Sequence, residues 1–310
     1  MINIPQDAKI DVHTHMREYP IKIDKEKLIK QINAGGFYGA AIFSIDPMTF
    51  TPDKRPSVLE RCDDLLSWVK GYEDKLFPVL YVDPSEEDVI SQTKQALKKN
   101  IVALKMSCSD YYVYETKSMD ILSLAAEAGK PVMFHSGILW DGKVSAKYNR
   151  PMNWEALHEI PKLKFSLAHC SWPWTDECIA LYGKFLNSYT LNPNVSSEMF
   201  FDLTPGTPVI YRQNLLEKIF LTGYDVPHNI LYGTDCGDIN YDSESAQFWI
   251  NYDNEAMNKI GVPDEIKKML FRDNFLRFIG FDKKEIIHKL PSPDKILQRW
   301  SLEDFKKENM

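Results

Sequence analysis

Cysteine is scarce in this 310-residue chain, and the five present (Cys62, Cys108, Cys170, Cys178 and Cys236) show no framework spacing. That argues against a disulfide scaffold and fits a reducing compartment. No run of Lys or Arg forms a basic cluster, and 37 basic against 44 acidic side chains leave a net charge of −7. Nucleic acid and anionic membranes are therefore not expected partners. Long apolar runs are missing as well. Stretches such as Gly39-Ala40-Ala41-Ile42-Phe43 fall far short of the roughly 20 residues that cross a bilayer as a helix. The start, Met1-Ile2-Asn3-Ile4-Pro5-Gln6-Asp7, has neither a basic head nor an apolar stretch. No secretory signal is read there, and the expected location is cytoplasmic. No Gly-x-Gly-x-x-Gly turn follows any strand-like run, so a nucleotide cofactor lacks support. Internal repeats and low-complexity tracts are also lacking.

What the chain does contain is an alternation. Eight short β-rich runs stand at 8–14, 38–45, Leu76 to Val82, Ile101 to Met106, 131–136, 164–169, Ser196–Leu203 and Ile230–Thr234. Between most of them lie segments of helical period: Lys25 to Ala34, about 56–70, 86–99, Met119–Ala128, Trp154–Ile160, roughly 175–187, 211–221 and much of 243–278. In the segment 86–99, Glu86, Glu87 and Asp88 occupy the expected first turn and Lys98-Lys99 the last, as the helix dipole favours. Strands alternating with helices imply a parallel sheet with right-handed crossovers. Eight repeats in this length point to an α/β fold of the (β/α)8 TIM-barrel type over 1–280, with 281–310 as a C-terminal tail packed on it. A doubly wound open sheet is the alternative architecture.

The ends of the runs carry the chemistry. His13 and His15 close the first run two residues apart, so their side chains share one face of a strand. Three further runs end in a metal-competent side chain: His135 after Val132-Met133-Phe134, His169 after Phe165-Ser166-Leu167-Ala168, and Asp235 after Tyr232-Gly233-Thr234. Such residues, repeated at the C-terminal ends of parallel strands, mark a site at the mouth of a barrel. Asp11 is expected on the same strand face as the two histidines, one layer deeper, as a supporting carboxylate. Cys170 and Cys236 follow inward-pointing residues and are expected outward, as small buried hydrophobes. His158, His228 and His288 lie away from strand ends, where packing is the default role.

Four histidines and an aspartate in this order resemble the amidohydrolase superfamily of metal-dependent barrel enzymes. The resemblance covers nearly the whole chain. His169-Cys170-Ser171-Trp172-Pro173-Trp174, Tyr232-Gly233-Thr234-Asp235 and the ending Asn274-Phe275-Leu276-Arg277-Phe278-Ile279-Gly280 look like the branch that also holds non-oxidative decarboxylases. The resemblance implies a divalent metal, most often zinc, held by His13, His15, His135 and Asp235. It also implies chemistry on a carbonyl or carboxylate group. Neutral imidazole and carboxylate suit Zn²⁺ with one position open for water, and Asp235 is placed to act as a general base beside it. His169 is a catalytic candidate. In two-metal relatives its counterpart holds a second ion, and in one-metal relatives it acts on substrate. Lys105 falls where two-metal relatives carry a carbamylated bridging lysine; contact with substrate or a nearby carboxylate is the other role open to it. One ion is favoured.

Loop residues that would shape the pocket are Tyr111, Tyr112, Tyr114, Trp140, Arg150, Trp172, Trp174 and Glu198, with Arg17 and Arg150 as candidate carboxylate clamps and Trp172 as a substrate contact. The expected activity is hydrolysis of an amide, ester or lactone of a small-molecule substrate by hydroxide formed at the metal. Two alternatives stand beside it: a metal-dependent non-oxidative decarboxylase of a small aromatic or unsaturated acid, and a non-catalytic metal-binding barrel. Barrels of this type frequently pair, so a homo-oligomer is compatible with the sequence.

Overall fold

A computed structural model describes residues 4–282 together with Ile286 and His288; most of the tail assigned to 281–310 lies outside the described residues. The elements run in order as β1 (Ile10–His15), α1 (Lys25–Ala34), β2 (Gly39–Phe43), α2 (Val58–Val69), β3 (Leu76–Tyr81), α3 (Val89–Ala96), β4 (Ala103–Met106) and α4 (Thr116–Glu127). There follow β5 (Val132–Phe134), α5 (Ser145–Tyr148), β6 (Lys164–Leu167), α6 (Thr175–Leu191), β7 (Glu198–Asp202), α7 (Val209–Leu221), β8 (Ile230–Leu231) and β9 (Cys236–Gly237). The described chain then continues through α8 (Ser243–Ile260), α9 (Asp264–Lys268) and α10 (Asn274–Phe278). The strands form one curled parallel sheet in the order β8-β7-β6-β5-β4-β3-β2-β1-β9, the arrangement that βα repeats generate.

The two edge strands belong to one short stretch of chain. Toward β7, the amides of Phe201 and Leu203 donate to the carbonyls of Asn229 and Leu231. Toward β1, the amide of Val12 donates to the Tyr232 carbonyl, and the amides of Asp235 and Asp238 donate to the carbonyls of His13 and His15. The eighth run, read as Ile230–Thr234, holds only the short β8, and β9 follows beyond it, past Asp235 in a left-handed conformation (φ 62°).

Alternation along the strands sorts the core into two clusters. Ala41, Phe43, Phe77, Val79, Ala103, Met133, Phe200 and Leu231 face inward and pack on one another. Their neighbours Ile42, Leu80, Leu104, Phe134, Phe165, Leu167 and Phe201 face the helices. At the N-terminal ends of the strands, α10 closes the inner cluster. Phe275 packs against Phe77 (ring centroids 5.4 Å apart) and Phe278 against Phe200 (4.9 Å).

Several helices start where local chemistry supplies a cap. Asp24 accepts the amides of Glu26 and Lys27 at α1, and Ser57 with Glu60 forms a capping box at α2. The expected helix 86–99 is shorter than read, starting at Val89, because Asp88 is left-handed (φ 49°) and Glu86 turns inward. There Glu86 grips the buried Arg61 with two bonds of 2.7 and 3.0 Å. The Trp154–Ile160 segment belongs to a 3₁₀ helix, Pro151–Glu159. Glu198 is corrected from a pocket-lining loop residue to the first residue of β7. It is buried at the opposite end of the sheet from the strand-end histidines, against Arg277 at 2.7 Å. Among the described residues no helix is long and apolar enough to cross a membrane.

Candidate metal centre

The first strand contains an irregularity on which the site depends. Its register against β2 shifts between Asp11 and Thr14. Ile10 and Val12 lie in the inner cluster, yet the His13 and His15 rings also reach the inner Phe43, with centroids 4.7 and 5.1 Å away. A bulge lets consecutive residues point the same way. Asp11 is consequently not on the face of the two histidines, as alternation had predicted. It turns to the other side, where it accepts the hydroxyls of Thr14, Thr234 and Tyr241 and the amides of His13 and Thr234. Burial raises its pKa to about 6, against the lowering effect of these bonds. Asp11 clamps β1 to the 230–238 segment.

Among the described residues, His13, His15 and Asp235 form a group whose ligand atoms all lie within 4.8 Å of one another. His13 Nε2 and His15 Nε2 are 3.1 Å apart, and Asp235 Oδ1 is 3.6 Å from the first and 3.1 Å from the second. A fourth residue explains why the first nitrogen faces inward. Asp202, at the end of β7, lies with Oδ2 3.0 Å from His13 Nδ1. A carboxylate only accepts, so Nδ1 carries the proton and Nε2 is left with a bare lone pair. That lone pair and the Asp235 oxygen are two acceptors converging on one spot. Such a donor set suits a divalent cation. In the structure the nearest cationic group is Lys105 Nζ, 3.5 Å from His13 Nε2 and 5.0 Å over the Phe43 ring.

Electrostatics favours ligand-ready forms. Burial, aided by the charge of Lys105, pushes the pKa of His13 well below its usual value. Burial also lowers that of His15 and, together with His169 and Lys105, that of His135. Burial alone would raise the Asp235 carboxyl, but the bond with His15 and the surrounding imidazoles hold it well below the usual range. Neutral rings beside an ionised carboxylate are the state the geometry supports. Lys105, fully buried, is lowered to about 8 by desolvation, with Asp202, Asp235 and Asp46 opposing.

His135 and His169 line the same inner wall. His169 lies 5.6 Å from the His13 ring and 5.1 Å from that of His135, centroid to centroid. His135 Nε2 is 3.3 Å from the Ile138 carbonyl, so His135 stands outside the tight group of three. His169 reaches the site through backbone strain. Phe165 and Leu167 face the helices, and simple alternation would turn residue 169 outward with them. Left-handed conformations at His169, Cys170 and Ser171 (φ 59°, 44° and 58°) swing its ring inward. Its Nδ1 donates to the Pro205 carbonyl at 2.9 Å, leaving Nε2 as the free nitrogen. Cys170 is buried and points its thiol at the Asp202 carbonyl.

The loop residues divide. Arg17 stands near His15 and is exposed. Arg150 is not brought to the site: it pairs with Glu177 and lies 5.8 Å over the Trp174 ring. Trp172 is half-buried and stacks on Tyr211 with centroids 6.4 Å apart. Trp140 is exposed and Tyr111 buried. A cavity of about 700 Å³ lies among the loops after β2, β3 and β4, lined by Met48, Asp83, Ser85, Tyr111 and Tyr114, and none of the strand-end histidines lines it. Asp202 and its partner Thr204 were missed from sequence. The signal was there, a carboxylate ending the seventh run, but Glu198 at the wrong end of that run took its place.

With this geometry in hand, comparison with known proteins assigns the class. The amidohydrolase family model matches residues 10–281, and the chain belongs to that family. No curated protein matches it. Solved structures share the fold at low identity. The 2,6-dihydroxybenzoate decarboxylase from Rhizobium is 12% identical with a TM-score of 0.63, covering 89% of this chain and 99% of that one. A 5-carboxyvanillate decarboxylase from Novosphingobium aromaticivorans, solved with bound manganese, is 10% identical with a TM-score of 0.61, covering 88% and 97%. A probable 2-pyrone-4,6-dicarboxylic acid hydrolase from Acinetobacter baumannii is 12% identical with a TM-score of 0.54, covering 88% and 100%.

Proposed function

We propose that this chain is a metal-dependent hydrolase acting on an amide, ester or lactone carbonyl of a small molecule. The segment 230–238 is read as the split eighth strand of a closed (β/α)8 barrel. The observation that carries the proposal is the meeting of the bare His13 Nε2 with His15 Nε2 and Asp235 Oδ1. These three, joined by His135 once it turns from the Ile138 carbonyl, would hold one divalent ion, with zinc the best match to the donors. A bound ion of this kind polarises a carbonyl oxygen and lowers the pKa of water to about 7.

The protein's own groups supply the rest. Asp235, ionised and 39% exposed, is the group that accepts a proton from water and passes it to the leaving group. His169, anchored through Nδ1 to the Pro205 carbonyl, presents Nε2 to substrate. It binds a hydroxyl as acceptor or, once protonated, a developing oxyanion as donor. Lys105, buried beside His13, presents an ammonium to the same spot. Arg17 is the cation at the rim that a substrate carboxylate would meet.

The position of His169 outside the group of three favours a second reading, non-oxidative decarboxylation, in which its ring protonates the carbon losing CO₂. Elemental analysis of the purified protein, followed by a screen of esters, lactones, amides and aromatic acids before and after chelation, decides between them. Solvent ¹⁸O in a product carboxylate marks hydrolysis, whereas CO₂ released without it marks the lyase. Turnover indifferent to chelation refutes both.

A further inference from the structure

We propose that Asp202 is a positioning residue that selects the ring tautomer of His13, and that Thr204 sets which way it does so. The proposal rests on the metal-centre reading above, but its first test does not. Asp202 is fully buried, and its two oxygens are divided between two partners. Oδ2 faces His13 Nδ1 at 3.0 Å. Oδ1 accepts both the Thr204 amide, at 2.8 Å, and the Thr204 hydroxyl. Thr204 is itself fixed, because the neighbouring Leu203 carbonyl is held by the buried Arg212 and the Leu203 amide by β8. Gly233 leaves room for the arrangement, since a Cβ there would come within 2.7 Å of Thr204 Oγ1 and 2.5 Å of His13 Cβ.

This division has a chemical consequence. With an ionised carboxylate at 202, His13 keeps its proton on Nδ1 and offers Nε2 as a ligand. An asparagine at 202 would present its single oxygen to the two donors of Thr204. Its NH₂ would then face His13 Nδ1 and donate to it, moving the ring proton to Nε2, the nitrogen that points at the site. A substitution that preserves shape and size therefore reverses the tautomer. In Asp202→Asn/Thr204→Val, one of the two donors holding the amide oxygen is gone, and the amide is freer to flip back.

The test is long-range ¹H–¹⁵N NMR on histidine-labelled, metal-free protein, assigned for His13 with a His13→Gln variant, together with zinc affinity by chelator competition. The wild type should show the proton on Nδ1, and Asp202→Asn should show it on Nε2 with zinc binding weakened about 10–100-fold. The double variant should recover part of both. A wild-type His13 protonated on Nε2 overturns the proposal without recourse to any variant. So does an Asp202→Asn protein that keeps the Nδ1 tautomer and wild-type zinc affinity. A wild type that carries the proton on Nδ1 yet binds no zinc upholds the role of Asp202 while sinking the metal-centre reading.

Discussion

Replacing Gly233 with alanine places a methyl carbon 2.5 Å from His13 Cβ, 2.9 Å from the His13 backbone nitrogen and 2.7 Å from Thr204 Oγ1. Ordinary contact begins near 3.4 Å. The threonine hydroxyl can turn away, though only by releasing Asp202. The other two atoms are fixed to β1, and no rotamer change moves them. Relief requires β1 and the 230–238 segment to part along their seam, where the two bonds flanking Gly233 are Val12 N to the Tyr232 carbonyl and Asp235 N to the His13 carbonyl, each 3.0 Å. Overpacking of this kind costs about 1–3 kcal/mol, and each weakened backbone bond about 0.5–1.5 kcal/mol. Gly233→Ala should therefore lower the unfolding free energy by about 2–6 kcal/mol. His13 and Asp235 stand on opposite sides of the seam, so zinc affinity should fall as well, by roughly 10-fold or more. Urea unfolding and chelator competition measure the two effects. Gly237→Ala is the control, because its nearest neighbour is the flexible Arg17 side chain at 3.3 Å. If Gly233→Ala matches the wild type in both assays, the close approach of these strands does not organise the site.

Three further outcomes follow from the same structure. A methyl group at Gly206 would lie 2.7 Å from the His169 ring, so Gly206→Ala should cut turnover about 10²-fold and leave zinc affinity unchanged; equal loss of both would place His169 on the ion. Removing the guanidinium partner of a buried carboxylate is expensive, and Arg277→Met should cost about 3–5 kcal/mol in urea unfolding because Glu198 keeps only Asn229 and His288 as close partners; a change within error would show that those two suffice. Burial works to raise Glu198, but Arg277, His288 and Lys164 outweigh it and hold its pKa at about 2 against an ordinary 4.5. Its stabilising contribution should be complete above pH 4.5 and disappear as the pH falls toward about 2. Unfolding midpoints of Glu198→Gln across that window should lack this part of the acid loss, and an equally steep decline would count against the assignment.

The metal-competent set was legible because strand ends are marked in the sequence by a polar residue closing an apolar run. His13, His15, His135, His169 and Asp235 all carry that mark, and the structure gathers them on one inner wall. What alternation could not foresee was where the backbone departs from it. The bulge in β1 turns Asp11 away from the histidines, and the left-handed stretch 169–171 turns His169 toward them. Glu86 was read as helix-dipole decoration, yet its carboxylate is needed by Arg61, a partner 25 residues earlier. Glu198 and Asp202 are both acidic residues of the seventh run, and only knowledge of which end of the strand each occupies separates the ion pair with Arg277 from the carboxylate beside His13.

The stopper formed by Phe275, Phe278 and Arg277 bears on how a small molecule would enter and leave under the proposed function. With aromatic rings and an ion pair filling the lower end of the sheet, reactant and product of the proposed reaction would share one doorway, at the loop side. A product that lingers there excludes the next reactant. Inhibition by product should then be competitive, and enlarging the lower end by Phe278→Ala should destabilise the fold without opening a back exit.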